Sequence, residues 1–321
     1  MKFEMAPLEG ITTYIYRNAH AKYFGKMDKY YTPFLSLHKE KEFSHKELNE
    51  ILPEHNEGLC VVPQVLTNSA EDFLKAANKL KEIGYEEVNI NAGCPSGTVT
   101  AKGKGAGILA DAEKLDAFLA EIFDRTPISV SIKTRLGMET WEEWNQLLEI
   151  YNKYPLKELV VHARVRQDFY VNKTNWEAFG KTLLDNKFPI CYNGDIFSQE
   201  DYEKLVREFP TLENVMLGRG LICCPGLFGE LQRFRNRENF TGNQGAKDDA
   251  TEMERLRAFH DEVYAGYQRI QSGERNVLFR MKELWIYMIQ SFENAEKYGK
   301  KIKKVNSCGE YEKIINQLFR S

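Results

Sequence analysis

Two stretches of this 321-residue sequence combine reactive side chains with backbone able to hold them. In Asn89-Ile90-Asn91-Ala92-Gly93-Cys94-Pro95-Ser96 a cysteine stands just past an apolar run, and Gly93 and Pro95 fix its turn. A thiol so placed can act as an acid or a nucleophile, and the Gly/Lys loop of residues 97–107 can cover it. Further on, Lys133 and Arg135 close the run Ile128–Lys133, where an ammonium can stabilise an anion developing on a ring or carbonyl. His162 with Arg164, Asn193-Gly194-Asp195 and Gly218-Arg219-Gly220 close three later runs, and Ala6-Pro7 and Gln64 close two earlier ones. The two glycine-flanked sets suit a phosphate: glycine lets backbone N–H groups approach, and Arg219 can add a charge-assisted contact. A lone Lys, His or Cys is more often a packed or solvated residue. Polar groups at the same end of six out of eight runs are what make the set informative.

Those eight runs must be the elements that position the chemistry. Lys2–Ala6, Lys29–Phe34, Leu59–Leu66, Glu87–Asn91, Ile128–Lys133, Leu159–His162, Ile190–Asn193 and Asn214–Leu217 read as strands. Amphipathic segments of helical length separate them, opened by cap signals at Ser44, Ser69, Thr140 and Ser198. Eight strands alternating with helices predict a (β/α)8 TIM barrel of class α/β, whose active site lies at the carboxyl ends of the strands. A doubly wound sheet would more often show fewer strands and a G-x-G-x-x-G opening. Residues 1–240 are expected to form the barrel and 241–249 (TGNQGAKDD) a linker. Residues 250–321 are expected to form a small C-terminal helical bundle, with helices over 250–271, 275–296 and 309–319.

Composition bounds the function classes. With 42% hydrophobic and 28% charged residues the chain can bury a large core. Six cysteines without a C-x-x-C predict neither a disulfide framework nor a metal site, and no apolar stretch is long enough for a membrane span. A cytoplasmic monomer is expected. The net charge of -3 gives no chain-wide case for a nucleic acid. It is, however, an average: residues 251–321 carry 13 Lys/Arg against 10 Asp/Glu, which leaves -6 on residues 1–250. The tail also holds the basic run from Lys297 to Lys304.

The strings Met5-Ala6-Pro7-Leu8-Glu9-Gly10, Gln64-Val65-Leu66, Asn91-Ala92-Gly93-Cys94-Pro95, Lys133-Thr134-Arg135-Leu136-Gly137, Val161-His162-Ala163-Arg164, Asn193-Gly194-Asp195 and Gly218-Arg219-Gly220 resemble the ordered motifs of the flavin-dependent tRNA dihydrouridine synthases. The resemblance spans residues 5 to about 225, with N-x-G-C-P followed by K-x-R-L-G its most diagnostic part. Leu8, where the family commonly has Met, and Val165, where Thr is frequent, are mild departures. The resemblance implies an NADPH-dependent, FMN-binding oxidoreductase that reduces the C5=C6 bond of uridines in tRNA, with Cys94 as the general acid at C5. It further implies flavin contacts from Ala6, Pro7, Leu8, Gln64, Lys133 and His162, and ribityl and phosphate contacts from Asn193, Gly194, Asp195, Gly218 and Arg219. Substrate contacts are implied for Asn91, Arg135, Arg164 and Tyr170. Lys102 and Lys104 are assigned to RNA phosphates. Arg280 and Lys282 lie in a tail that resembles the family's RNA-binding bundle. The main alternative is a flavin barrel acting on a free pyrimidine, similar to a dihydroorotate dehydrogenase. An RNA-binding barrel without catalysis and an aldolase using Lys133 as a Schiff base explain less of the pattern.

Overall fold

Short, two-sidedly apolar strands separated by helices have to form a parallel sheet with helices covering its outer face. The computed structural model describes residues 1–37, 43–239 and 251–320, so the expected linker 241–249 lies outside the described residues. Its strands are β1 (Lys2–Met5), β2 (Lys29–Tyr31), β3 (Val61–Val62), β4 (Gln64–Val65), β5 (Glu87–Ala92), β6 (Ser129–Arg135), β7 (Leu159–His162), β8 (Ile190–Asn193) and β9 (Asn214–Leu217). All pairings are parallel, in the order β3-β2-β1-β9-β8-β7-β6-β5-β4. The first and last of that order are consecutive in the chain, with only Pro63 between them, so the sheet closes into a barrel. The expected strand Leu59–Leu66 is therefore one barrel position split in two. Pro63 has no N–H to donate, and its carbonyl still accepts from Asn89 at 2.8 Å.

The helices are α1 (Tyr14–Phe24), α2 (His45–Ile51), α3 (Ala70–Ile83), α4 (Gly97–Thr100), α5 (Ala112–Arg125), α6 (Glu143–Tyr151) and α7 (Trp176–Leu184). There follow α8 (Gln199–Glu208), α9 (Arg219–Cys223), α10 (Leu227–Asn239), α11 (Glu252–Ile270), α12 (Glu274–Met288), α13 (Ala295–Lys304) and α14 (Cys308–Leu318). Ser44 and Glu47 form a reciprocal capping box on α2, and Ser69 caps α3. Where Thr140 was expected to cap, the Glu143 carboxylate instead accepts from the N–H groups of Met138, Glu139 and Thr140.

The chain divides into two compact units. The first, Met1–Pro7, Asp28–Asp195 and Leu205–Leu217, holds all nine strands. A buried polar cluster fills the barrel near the strand starts. Lys29 Nζ lies 3.0 Å from Glu158, 3.4 Å from Glu87 and 3.9 Å from Glu4, and Tyr31 and Asn214 donate to Glu158. Glu4 is 1% exposed, and burial and Glu158 push its carboxyl well above the usual range.

The second unit is Leu8–Met27, Ile196–Lys204 and Gly218–Ser321. In it α11 packs along α1, with Tyr16 edge-on to Phe259 and the Thr13 hydroxyl 3.0 Å from that of Tyr267. The helix expected over 275–296 ends at Met288. A 3-10 turn, Ile289–Ser291, follows, Ser291 donates to the Cys223 carbonyl, and Phe292 turns in against Trp285 and Phe319. Residues 295–304 then form a helix of their own, α13.

Candidate active site

The carboxyl end of β5 builds the cysteine turn. Asn91 Oδ1 accepts from the N–H groups of Gly93 (3.1 Å) and Cys94 (2.9 Å), which bends the chain as it leaves the strand. Asn91 Nδ2 donates to Gln64 Oε1 (2.7 Å), Gln64 Nε2 to Asn89 Oδ1 (2.8 Å), and Asn89 Nδ2 to Ser131 Oγ (2.9 Å). This chain of buried amides crosses β4, β5 and β6 and fixes the orientation of each member. The next loop folds back over the thiol: Ala106 N–H donates to the Cys94 carbonyl, and Gly105, at φ +56°, lies so close that a Cβ there would be 2.9 Å from that of Cys94. Cys94 is half-buried beneath this loop. Lys102, whose carbonyl accepts from Asn68, is exposed on it, and Lys104 is half-buried.

β6 delivers Lys133 and Arg135 to the same rim. Lys133 Nζ donates to Asn193 Oδ1 at 2.8 Å, across β7, and Asn193 Nδ2 is held in turn by the Met216 carbonyl. Burial, with the Arg135 guanidinium beside it, lowers the Lys133 ammonium from 10.5 to about 7. Among the described residues no carboxylate pairs with it. Gly194 follows Asn193 where any Cβ would collide with the Tyr192 hydroxyl, itself held by Trp176 and Thr174.

Arg135 is 1% exposed and grips three carbonyls: Nε to Gly93 (2.8 Å), Nη1 to Val165 (2.9 Å) and Nη2 to Phe169 (3.0 Å). It thereby ties the cysteine turn to the loop after β7. Arg164, also 1% exposed, donates from Nε to the Asn172 carbonyl and makes a two-pronged ion pair with Asp195. Its Nη1 lies 3.2 Å from His162 Nε2. Because a guanidinium only donates, that nitrogen accepts, and the imidazole is neutral with its proton on Nδ1. The Tyr170 ring lies 5.9 Å from that of His162 and 5.4 Å from the Arg135 guanidinium.

The first unit thus brings together Ala6, Pro7, Gln64, Asn91, Cys94, Lys133, Arg135, His162, Arg164, Tyr170, Asn193, Gly194 and Asp195 at the carboxyl ends of its strands, with Lys102 and Lys104 on the covering loop. Leu8, Gly218, Arg219, Arg280 and Lys282 belong to the second unit. There Leu8 starts a turn closed by Thr12, and the Arg219 guanidinium lies 5.5 Å from the Phe197 ring. Arg280 pairs with Glu283 at 3.0 Å, and Lys282 donates to the Val305 carbonyl at the end of α13. Sequence reasoning misses Asn89, Ser131, Arg166 and Phe169. Asn89 and Ser131 stand two residues before Asn91 and Lys133, on the same faces of β5 and β6, so the period of two along those strands is the signal that could find them.

A protein-family model, dihydrouridine synthase (Dus), matches residues 4–320. The chain belongs to the dihydrouridine synthase family. This synthase is 26% identical over 323 aligned residues to the probable tRNA-dihydrouridine synthase 1 of Synechocystis sp., covering 98% of this chain and 85% of the relative. It is 27% identical over 235 residues to the probable tRNA-dihydrouridine synthase 2 of Bacillus subtilis, covering 70% of each. Among solved structures, morphinone reductase in complex with tetrahydroNAD superposes with a TM-score of 0.50 at 13% identity, covering 73% of this chain and 86% of that one, which supports the barrel alone. The synthase is an oxidoreductase: dihydrouridine differs from uridine by two hydrogens across C5=C6.

Proposed function

We propose that this synthase reduces uridines in tRNA with an FMN cofactor that NADPH recharges, and that Cys94 is its general acid. The observation that carries the reading is the pairing, at one rim, of a half-buried thiol with a half-buried ammonium that no carboxylate among the described residues offsets. That environment fits a flavin. The Lys133 charge calls for an anionic partner, and the flavin ring and its phosphate supply one. When bound, FMN would supply the hydride for C6 of the uracil. Lys133, Gln64, His162, Ala6 and Pro7 would hold the ring system, and Asn193 would orient the Lys133 ammonium as well as meeting the ribityl chain.

Cys94 would then give its Sγ proton to C5, completing the addition of one hydride and one proton, and the thiolate would recover a proton from water. This role needs a protonated thiol. Asn91 and Arg135 serve it by fixing the turn and the loop on either side of the thiol. Arg164, paired with Asp195, holds His162 in its neutral tautomer.

A stacked base cannot reach this rim, so the target uridine must be extruded into it. Of the cations of the second unit, Arg280 and Lys282 already have structural partners. Lys297, Lys301, Lys303 and Lys304 of α13 are exposed and have no carboxylate partner among the described residues. We assign tRNA phosphates to these four together with Lys102 and Lys104, and place the reaction in the cytoplasm, where tRNA resides.

The test is purified protein with FMN, NADPH and unmodified tRNA, assayed for dihydrouridine by mass spectrometry. The wild type forms it, and Cys94→Ala loses at least 100-fold in rate, as expected for removal of a general acid of roughly 10²–10⁴-fold effect, while still oxidising NADPH. A protein that takes up no flavin ends the proposal, and an unimpaired Cys94→Ala ends the role of the thiol.

A further inference from the structure

The loop after β7 carries three consecutive exposed apolar side chains: Phe169 (43% exposed), Tyr170 (47%) and Val171 (89%). Loops at such rims are ordinarily polar, and an exposed apolar cluster of this kind marks a contact surface. Phe169 is also the one described non-glycine residue with positive φ, at +46°. Glycine or asparagine would take that conformation at less cost, so a phenylalanine held there is kept for its ring.

The loop over-determines the conformation. Phe169 N–H donates to the Arg166 carbonyl, Val171 N–H to the Asp168 carbonyl, and Asp168 accepts from both Val165 and Asn172. The Phe169 carbonyl is held by Arg135, the same guanidinium that holds Gly93 beside Cys94. The ring is thus placed at a fixed register from the thiol. Its other neighbour is the Arg166 guanidinium, 5.0 Å from the ring, which sets positive charge beside an exposed aromatic face. Arg166 also reaches Thr100 of α4, on the loop over Cys94.

We propose that Phe169 is a positioning residue that stacks on an unpaired RNA base next to the target uridine, with Arg166 facing the adjoining phosphate. The inference rests on tRNA being the substrate. Extruding the uridine leaves a neighbouring base with one face bare, and an aromatic ring beside a guanidinium at the rim replaces the missing stacking partner. Stacked there, the neighbour sets how far the uracil reaches toward Cys94.

The experiment compares Phe169→Ala, Phe169→Gly and Phe169→Trp in holoenzyme assays with tRNA. Both small variants raise KM for tRNA about tenfold, the effect of removing one base–aromatic stack, with the change falling on KM rather than kcat. Phe169→Trp restores KM, and its added indole emission is quenched when tRNA binds. Phe169→Gly separates a ring effect from a backbone effect, because it relieves the positive φ and still lacks the ring. Wild-type KM in both small variants, or in Phe169→Gly alone, overturns the proposal, as does a tryptophan whose emission tRNA leaves unchanged. A wild-type protein that makes no dihydrouridine overturns the substrate reading instead, and the tryptophan titration with tRNA still reports whether a base stacks at this position.

Discussion

Lys133 illustrates a residue whose cost to the fold and proposed value to the chemistry are the same fact. Its ammonium titrates near 7 in the folded chain and at 10.5 when solvated. Between those values the unfolded chain binds a proton that the folded chain does not, so the flavin-free protein gains stability as pH rises from 7 toward 10.5. Below 7 the full burial cost is present. Lys133→Met should therefore raise Tm of the flavin-free protein by about 5 °C at pH 6, with the gain shrinking above pH 7, while turnover falls about 100-fold. A calorimetric scan across pH, run beside the dihydrouridine assay, reads both; a variant that is less stable at pH 6 contradicts this account. The types of these residues were legible in sequence, because strand ends in a barrel are where function collects. Their partners were not. Nothing in the spacing says that the Arg135 side chain reaches three carbonyls, one from its neighbouring strand's turn and two from the loop after β7, or that Asp195 is engaged by Arg164.

At the scale of elements, the starts of the strands behave differently from their ends. Lys29 on β2 meets Glu4 on β1, Glu87 on β5 and Glu158 before β7, and Glu4 also meets Glu158 and Cys191 on β8. One lysine cannot neutralise three carboxylates, and the buried Glu4 keeps its proton well above the usual range. A carboxyl raised in the folded state costs stability as pH climbs past its ordinary value. Glu4→Gln keeps the shape without the charge, so its Tm should match the wild type near pH 4 and exceed it increasingly toward pH 8. Equal melting at pH 8 would show that Glu4 ionises there at no cost. Seven of the eight strands could be placed from apolar runs to within a few residues, because both faces of a parallel barrel strand are covered. The split at Pro63 and the end of α12 at Met288 escaped. The first depends on a missing donor within a strand, the second on Phe292 finding Trp285 and Phe319, a contact between helices that helical periodicity does not report.

For the whole molecule, net charge averages over unlike parts, and the proposed RNA surface rests on its distribution. The five lysines of α13 stand on a helix whose buried side is Tyr298 and Ile302, and among the described residues only Lys300 has an acidic partner, Glu296. Changing Lys297, Lys301, Lys303 and Lys304 together to Gln should weaken tRNA binding and lower the salt dependence of log affinity by about 3, near one unit for each phosphate no longer neutralised. Filter binding across salt concentrations measures it; an unchanged slope would move the RNA surface elsewhere. In the sequence this run could equally be read as a solvated helix end, and only its separation from α12 as an independent amphipathic helix reveals a face.

The break at Pro63 has a consequence for how the barrel breathes. β3 pairs with β2 and β4 with β5, and past the break Leu35 donates to the Gln64 carbonyl and accepts from the Leu66 N–H, while Thr32 Oγ1 accepts from the Gln64 N–H. The two halves of this one strand position are joined by covalent backbone, and each carries a short ladder of two residue pairs. Local opening between β5 and β6 has to part six residue pairs, and between β4 and β5 two. Gln64, the first residue after the break, anchors the amide chain that ends at the Cys94 turn. One of the shortest ladders of the barrel therefore sits one side chain away from Asn91, the residue that shapes the Cys94 turn.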